Sequence, residues 1–463
     1  MDNKLAQHYT FSKLFKFTIP TILMMIFTSI YSIVDGFFIS NYVGKTAFAA
    51  VNLIWPPLMI IASLGFMVGT GGSAIVGKLL GQGNKEKANE TFSLLIIFTL
   101  VLGVITSVFG IILIKDIAKL VGVTENMMDD AVVYGKIIAG FNFAFMLQYL
   151  FQSFFVTATK PKLGFAITII AGIANMILDT LFIAVFKWGV QGAAFASGIG
   201  QCIGGFIPII YFSRKNNSLL KITKPIMDVD ALINTCTNGS SELMSSISSS
   251  VVGILYNFQL LKYSGENGVA AYGVLMYTQM IFQAIYLGYT IGTNPIVSYN
   301  YGANNKKELN NILMKSFKII GFTGILMFSS CFLLSKQIST IFVGYDQELM
   351  EITTSAFKIY AVSFIFSGVN IYASGFFTAL GNGKASAFIS FVRCMLLQII
   401  SVLTLPIIFG LNGIWWALSV AEIVALFISL FLIKKLDSQY HYFWFLIINP
   451  HLKALPTTSP NSW

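Results

Sequence analysis

Ile75–Asn89, IVGKLLGQGNKEKAN, and Ile296–Asn310, IVSYNYGANNKKELN, align without a gap at an offset of 221. In each, an apolar run passes through a small-polar turn into a charged, helix-favouring segment, as where one helix ends and the next begins. The offset recurs. Gly44 and Ala49-Ala50 of GKTAFAA meet Gly265 and Ala270-Ala271 of GENGVAA, and Gly189–Ala196, GVQGAAFA, meets Gly410–Ala417, GLNGIWWA. Phe154-Phe155 meets Phe376-Phe377 at 222. The chain is therefore two copies of one unit.

Apolar stretches of spanning length fall at 15–40, 47–76, 92–114, 131–156, 163–186 and 188–212, then at 232–262, 269–297, 312–334, 353–379, 386–408 and 411–433. The fold class is thus an all-α integral membrane protein of twelve transmembrane helices. Six helices per copy is an even number, so the copies share one orientation and are related by a pseudo-two-fold axis along the membrane normal. The expected division is an N-lobe at 1–212, a cytoplasmic linker at 213–231, a C-lobe at 232–435 and a tail at 436–463. The end of that tail, QYHYFWFLIINPHLKALPTTSPNSW at 439–463, has no repeat partner and receives no function.

Composition agrees. Of 463 residues only 48 are charged, 29 Lys and Arg and 19 Asp and Glu, or 10%. An ordinary soluble protein has about 25%. Eleven short loops leave no room for a nucleotide-binding domain. With the N-terminus inside, inner loops and flanks hold 20 of the 29 basic residues and outer ones 7, while Lys136 and Arg393 lie within helices. That asymmetry predicts a multi-pass protein of the cell membrane with both termini cytoplasmic. It also accounts for the net charge of +10 without nucleic acid. Met1–Thr10 is polar and the first apolar run is too long for a signal-peptide core, so no cleavable signal is expected.

Several chemistries are excluded. Gly72–Lys78, GSAIVGK, fits GxxxxGK, but Leu79 stands where a magnesium-binding hydroxyl is needed, and the run ends a membrane helix. Gly69, Gly71 and Ala74 mimic GxGxxA in the same wrong context. No nucleotide, cofactor or enzymatic activity is therefore expected. Cys202, Cys236, Cys331 and Cys394 lie in apolar stretches without CxxC spacing and read as packing residues. His8, His441 and His451 all sit near the termini, so proton or cation chemistry inside the membrane falls to carboxylates.

Four acids lie within the spans: Asp35, Asp179, Glu242 and Glu422. Each costs about 2.5–3.5 kcal/mol at a helix centre, so function is the default reading. Asn175 and Asp179, spaced i,i+4, share one face of helix 5, and Tyr31 lies one turn before Asp35. At 1.5 Å per residue, Asp179 and Asn175 lie about 24 and 18 Å from the inner end of helix 5, Asp35 about 30 Å into helix 1, and Ser197 about 14 Å below the outer end of helix 6. Two carboxylates, an amide and a hydroxyl at similar depth suit Na⁺ or shared protons. No other metal is implied. Glu242, near the midplane in NGSSE, reads as a lone acid suited to a cationic ligand, its repeat counterpart being Thr21. Glu422 and Arg393 read as a structural pair, and Lys136 has no assigned role. The 42 Phe, 19 Tyr and 17 Met supply material for adaptable cavity walls.

Twelve helices in two parallel repeats, with the runs SIYSIVDGFFISNYVG (29–44), GGSAIVGKLLGQGN (71–84) and ANMILDTLFI (174–183), resemble the multidrug and toxic compound extrusion (MATE) family over residues 10–435. The resemblance implies export of amphipathic, mostly cationic drugs and dyes in exchange for inward H⁺ or Na⁺ by alternating access, by a chain working as a monomer. It places the coupling site on Asp35, Asn175, Asp179 and Ser197, a helix-1 kink at Pro20, and polar substrate contacts on Gln148 and Gln152 beside Tyr31 and Glu242. A second cation site would need an acid in helix 10, which offers only Asn370. The competing reading, a lipid-linked oligosaccharide flippase of a related branch, expects a basic central cavity that Lys136 and Arg393 alone do not supply.

Overall fold

The computed structural model describes residues 4–442, and the tail beyond Tyr442 lies outside them. The described residues form helices α1 (Phe11–Phe38), α2 (Lys45–Gly81), α3 (Lys85–Leu120), α4 (Glu125–Thr157), α5 (Pro161–Asp179) and α6 (Val190–Ser213). After the linker come α7 (Val229–Gly302), α8 (Lys306–Val343), α9 (Gln347–Tyr360), α10 (Ser363–Ala379), α11 (Gly383–Phe391), α12 (Leu397–Phe409) and α13 (Leu411–Tyr440). The 74-residue α7 is broken at Gly265, whose φ of 60° and ψ of −149° are not helical, so it holds two spans. α9 and α10 form one span bent by 48°. α11 and α12 form another, joined by a π turn at Val392–Leu396.

The repeat read from sequence reappears as backbone geometry. Asn84 and Asn305 cap α3 and α8, their Oδ1 atoms accepting from Lys87 N at 3.2 Å and Glu308 N at 3.1 Å. The residue before each, Gly83 and Asn304, has a left-handed φ of 81° and 55°, a region glycine and asparagine tolerate. Gly189 and Gly410 enter α6 and α13 with almost identical torsions, φ 59° and ψ −139° against φ 58° and ψ −140°.

The lobes meet most closely at the end of the bundle carrying Asn84 and Asn305, where basic residues concentrate. A Cβ on Gly71 would strike Thr235 O, and one on Gly239 would strike Met67 O, so α2 and α7 touch backbone to backbone. Gly81 sits against Tyr299 O and Gly302 against Lys78 O. At the opposite end Gly44, Gly253, Gly265 and Gly273 have open space where a Cβ would stand.

Two segments strap the closed end. Residues 4–10, preceding α1, lie on the C-lobe. Tyr9 N donates to Glu308 Oε1 at 2.9 Å, His8 Nδ1 lies 2.8 Å from Glu308 Oε2, and Asn300 Nδ2 donates to Leu5 O at 3.2 Å. Burial pushes the Tyr9 hydroxyl up to about 12. The linker lies on the N-lobe, with Lys221 N donating to Asn89 Oδ1 at 3.0 Å and Thr223 N to Ser93 Oγ at 2.8 Å. The inner half of α1 also packs into the C-lobe core through Leu14, Phe17 and Met24.

Pro20 lies inside α1, and a π segment, Ile39–Val43, follows at the outer end of that helix. α13 continues past 435 to Tyr440, because Tyr440 and Tyr442 bury their rings against Tyr301 (5.7 Å) and Phe376 (5.4 Å).

Candidate functional site

Within the N-lobe, facing α7, lies a cavity of about 370 Å³. Tyr31 and Asp35 of α1, Asn175 of α5, Ser197 of α6 and Gln148 of α4 line it. Ser197 Oγ donates to Asp35 Oδ1 at 3.5 Å and accepts from Asn175 Nδ2 at 3.4 Å. Asp179 lies behind this row, fully buried and beside Asp35. Neither Asp179 oxygen receives a donor from a neutral residue, and Asn175 Oδ1 is equally unpartnered. When both carboxyls are ionised neither can donate to the other. One proton between them, or one hard cation, converts repulsion into a bonded pair.

The helices change character where they carry these groups. The π turn Thr180–Val185 begins immediately after Asp179, and the one at Ile39–Val43 begins four residues after Asp35. A π turn withdraws carbonyls from regular i→i−4 bonding, and such turns recur at functional sites. Gly200, whose Cβ would press on Ala171 O and Asn175 Cβ at 3.2 Å, brings α6 close to α5.

Sequence reasoning missed three residues. Tyr134 of α4 is fully buried, its hydroxyl is unpartnered, and it feels both Asp35 and Asp179. Gln201 points an unpartnered Oε1 at the same space, and Asn52 adds an amide near the outer end. Helical periodicity was the signal for the first: Tyr134, Phe145 and Gln148 are 11 and 14 residues apart on one face. Trp55, Met59, Phe145 and Tyr149 wall the remainder, with Phe145 stacked on Tyr149 at 4.8 Å, and Met280 and Gln283 face them from the C-lobe.

The other two sequence candidates lie elsewhere. Gln152 is buried one turn inward of Gln148 and does not line this cavity. Glu242, on α7, is not electrostatically isolated as the linear sequence implied, because the charge of Arg393 acts on it. Arg393 Nη1 is also 3.5 Å from Glu422 Oε1. Asn370 Nδ2 donates to Glu422 Oε2 at 2.7 Å, and Ser429 Oγ to Asn370 Oδ1 at 2.9 Å. Arg393 thus sits in a bonded network with Glu422, Asn370 and Ser429.

Two parallel six-helix repeats, the first enclosing an intramembrane cavity beside Asp35 and Asp179, give the architecture of a polytopic transporter. The family model described as MatE matches residues 20–181 and 243–404, and the chain belongs to that family of multidrug efflux transporters. It is 25% identical over 451 residues to Multidrug export protein MepA of Staphylococcus saprophyticus, covering 95% of this chain and 98% of that one. The Staphylococcus haemolyticus protein of the same name is 24% identical over 434 residues, covering 93% and 94%. Among solved structures, an outward-facing multidrug resistance MATE transporter of the MOP superfamily superposes with a TM-score of 0.89 at 20% identity, covering 95% of this chain and 98% of that one. A MATE in complex with MaL6 superposes at 0.88 and 21% identity, with the same coverage.

Proposed function

We propose that the chain is a secondary active antiporter that exports amphipathic, mostly cationic compounds against inward H⁺ or Na⁺. The observation carrying this reading is the pair Asp35 and Asp179, which share one site with Asn175 and Ser197 while the Asp179 oxygens have no neutral donor. A buried carboxylate without a neutral donor, set beside a second carboxylate, is costly, and the coupling cation removes that cost. The aromatic and Met-lined cavity beside it suits flat, positively charged organic molecules.

The ion works by differential affinity. It shifts the lobes only as far as it binds one arrangement better than the other. The described arrangement is closed at the basic end, which we assign to the cytoplasm with both termini, as the charge asymmetry requires. In this reading residues 1–212 and 232–435 rock against each other as lobes, one chain being sufficient.

The test is reconstitution in liposomes, with Na⁺ and pH gradients imposed separately while a fluorescent organic cation is followed. Transport should follow at least one gradient. Asp179→Asn should abolish it while the variant remains monodisperse and helical. Wild-type transport by that variant would remove the carboxylate pair from the mechanism. Selective binding of a lipid pyrophosphate without transport of organic cations would favour the flippase reading instead.

A further inference from the structure

Outside the carboxylate site, two concave surfaces lie along one seam between the lobes. A pocket of about 730 Å³ opens at the basic end, lined by His8, Asn310, Lys307, Lys315 and Lys318 among others. A groove of about 810 Å³ continues from it toward the membrane interior, sharing Phe11 and Lys318. The groove runs between α1, α7 and α8, with Phe15, Ile19, Tyr286, Tyr289 and Phe322 on its walls.

The chemistry changes sharply along this path. On α8 the residues Lys307, Asn311, Lys315, Lys318, Phe322 and Leu326 are spaced three or four apart and share one face. The face is basic for its first 11 residues, about 16 Å, and apolar for the next 8, about 12 Å. The tyrosines present rings and not hydroxyls to the groove. Tyr286 Oη donates to Phe364 O at 2.7 Å, and Tyr289 Oη bonds Ser316 Oγ at 2.9 Å. Thr323 Oγ1 is turned back to Ile319 O at 2.8 Å. The acid in the basic pocket, Glu308, is nine-tenths buried and already engaged by Tyr9 N, His8 and Asn311. Lys315 is held by Tyr9 O at 2.5 Å, whereas Lys307 and Lys318 are exposed.

We infer that this composite pocket and groove binds an anionic phospholipid, its phosphate at Lys307 and Lys318 and an acyl chain along the groove between α1 and α8. A zwitterionic lipid fits the apolar groove equally, but its ammonium gains nothing from two exposed lysines. A soluble phosphate compound would use the pocket and leave the groove unfilled. The inferred lipid bridges the lobes, because α1 belongs to the first repeat and α8 to the second. Its occupancy therefore favours the arrangement in which this seam keeps its present shape.

The experiment is native mass spectrometry of the full-length protein in detergent with phosphatidylglycerol, phosphatidylcholine or glycerol phosphate. Retention of phosphatidylglycerol should exceed that of phosphatidylcholine. Lys307→Gln with Lys318→Gln should weaken it roughly 30-fold, which corresponds to about 1 kcal/mol per lysine near a membrane surface. Filling the groove with Thr323→Trp should weaken it with all lysines intact. Lys434→Gln with Lys435→Gln, removing two exposed lysines elsewhere, should change nothing. Equal retention of the two lipids overturns the inference. So does wild-type retention by the Lys307/Lys318 variant, or full displacement of the lipid by glycerol phosphate alone.

Discussion

Gly239→Ala tests whether the packed basic end is one of two alternating states. In the described arrangement the added methyl would strike Met67 O and approach Gly71 N at 3.1 Å. Both are backbone atoms, so no rotamer change relieves the contact, and α2 and α7 must separate by roughly 1 Å. A gap of that size forfeits about a quarter to a half of each dispersion contact it opens. Overpacking of a fitted interface costs about 1–3 kcal/mol. If the basic end opens during transport, the open state escapes this cost, and the equilibrium shifts toward it by about 5- to 150-fold. The shift is read by electron–electron distance spectroscopy between labels at Lys85→Cys and Lys306→Cys, repeat-equivalent positions on opposite lobes, in a background with Cys202, Cys236, Cys331 and Cys394 replaced by Ser. A longer-distance population should grow in Gly239→Ala. Gly253→Ala is the control, since its methyl meets nothing within 4 Å. An unchanged distance distribution, with the variant folded, would show that α2 and α7 stay together in every state and that the lobes do not part here.

Three further outcomes follow from the same geometry. Ser197→Ala removes the hydroxyl bridging Asp35 and Asn175 at 3.5 and 3.4 Å, and should raise the cation concentration for half-maximal transport by about 3- to 10-fold, the equivalent of about 1 kcal/mol. Arg393→Met leaves Glu422 buried without its cation and should destabilise the protein by about 3–5 kcal/mol, read as a lower Tm, while Arg393→Met with Glu422→Gln should recover most of the loss. Glu308→Gln keeps the shape of the strap but removes the charge accepting from Tyr9 N and His8, and should accelerate hydrogen exchange over residues 4–10 by at least about tenfold without moving the Tm of the bundle.

The repeat was legible because its signature is local. Asn84 and Asn305 act on the turns that contain them, and Gly189 and Gly410 on the first residues of their own helices. Depth arguments also served Asp35, Asn175, Asp179 and Ser197, because straight helices in a bilayer make residue number a measure of height. They failed where azimuth mattered. Nothing in the linear order turns Arg393 toward Glu242, 151 residues away, or turns Gln152 away from the cavity that Gln148 enters. The N-terminal strap was equally hidden, since its partner Glu308 lies 300 residues from His8.

The same offset shows that the scaffold is symmetric and its chemistry is not. The C-lobe counterparts of Asp35, Asp179 and Ser197 are Tyr256, Ile400 and Leu418, so the second repeat has no carboxylate pair at these heights. The counterparts of Glu242 and Glu422 are Thr21 and Gln201, so the first repeat lacks the network built around Arg393. Gln201 lines the N-lobe cavity with a neutral amide, whereas Glu422 at the equivalent position is consumed by Arg393 and Asn370. Transplanting the pair should separate scaffold from chemistry. Tyr256→Asp with Ile400→Asp places two acids at the repeat-equivalent positions, the first in the core and the second on a half-exposed face, without the polar partners of the first repeat. It should lower the Tm without creating a second coupled ion. Ion stoichiometry measured by the reversal potential of transport in liposomes decides the point. A doubled stoichiometry in that variant would mean that depth alone makes a site, and that Asn175, Ser197 and Tyr134 are dispensable.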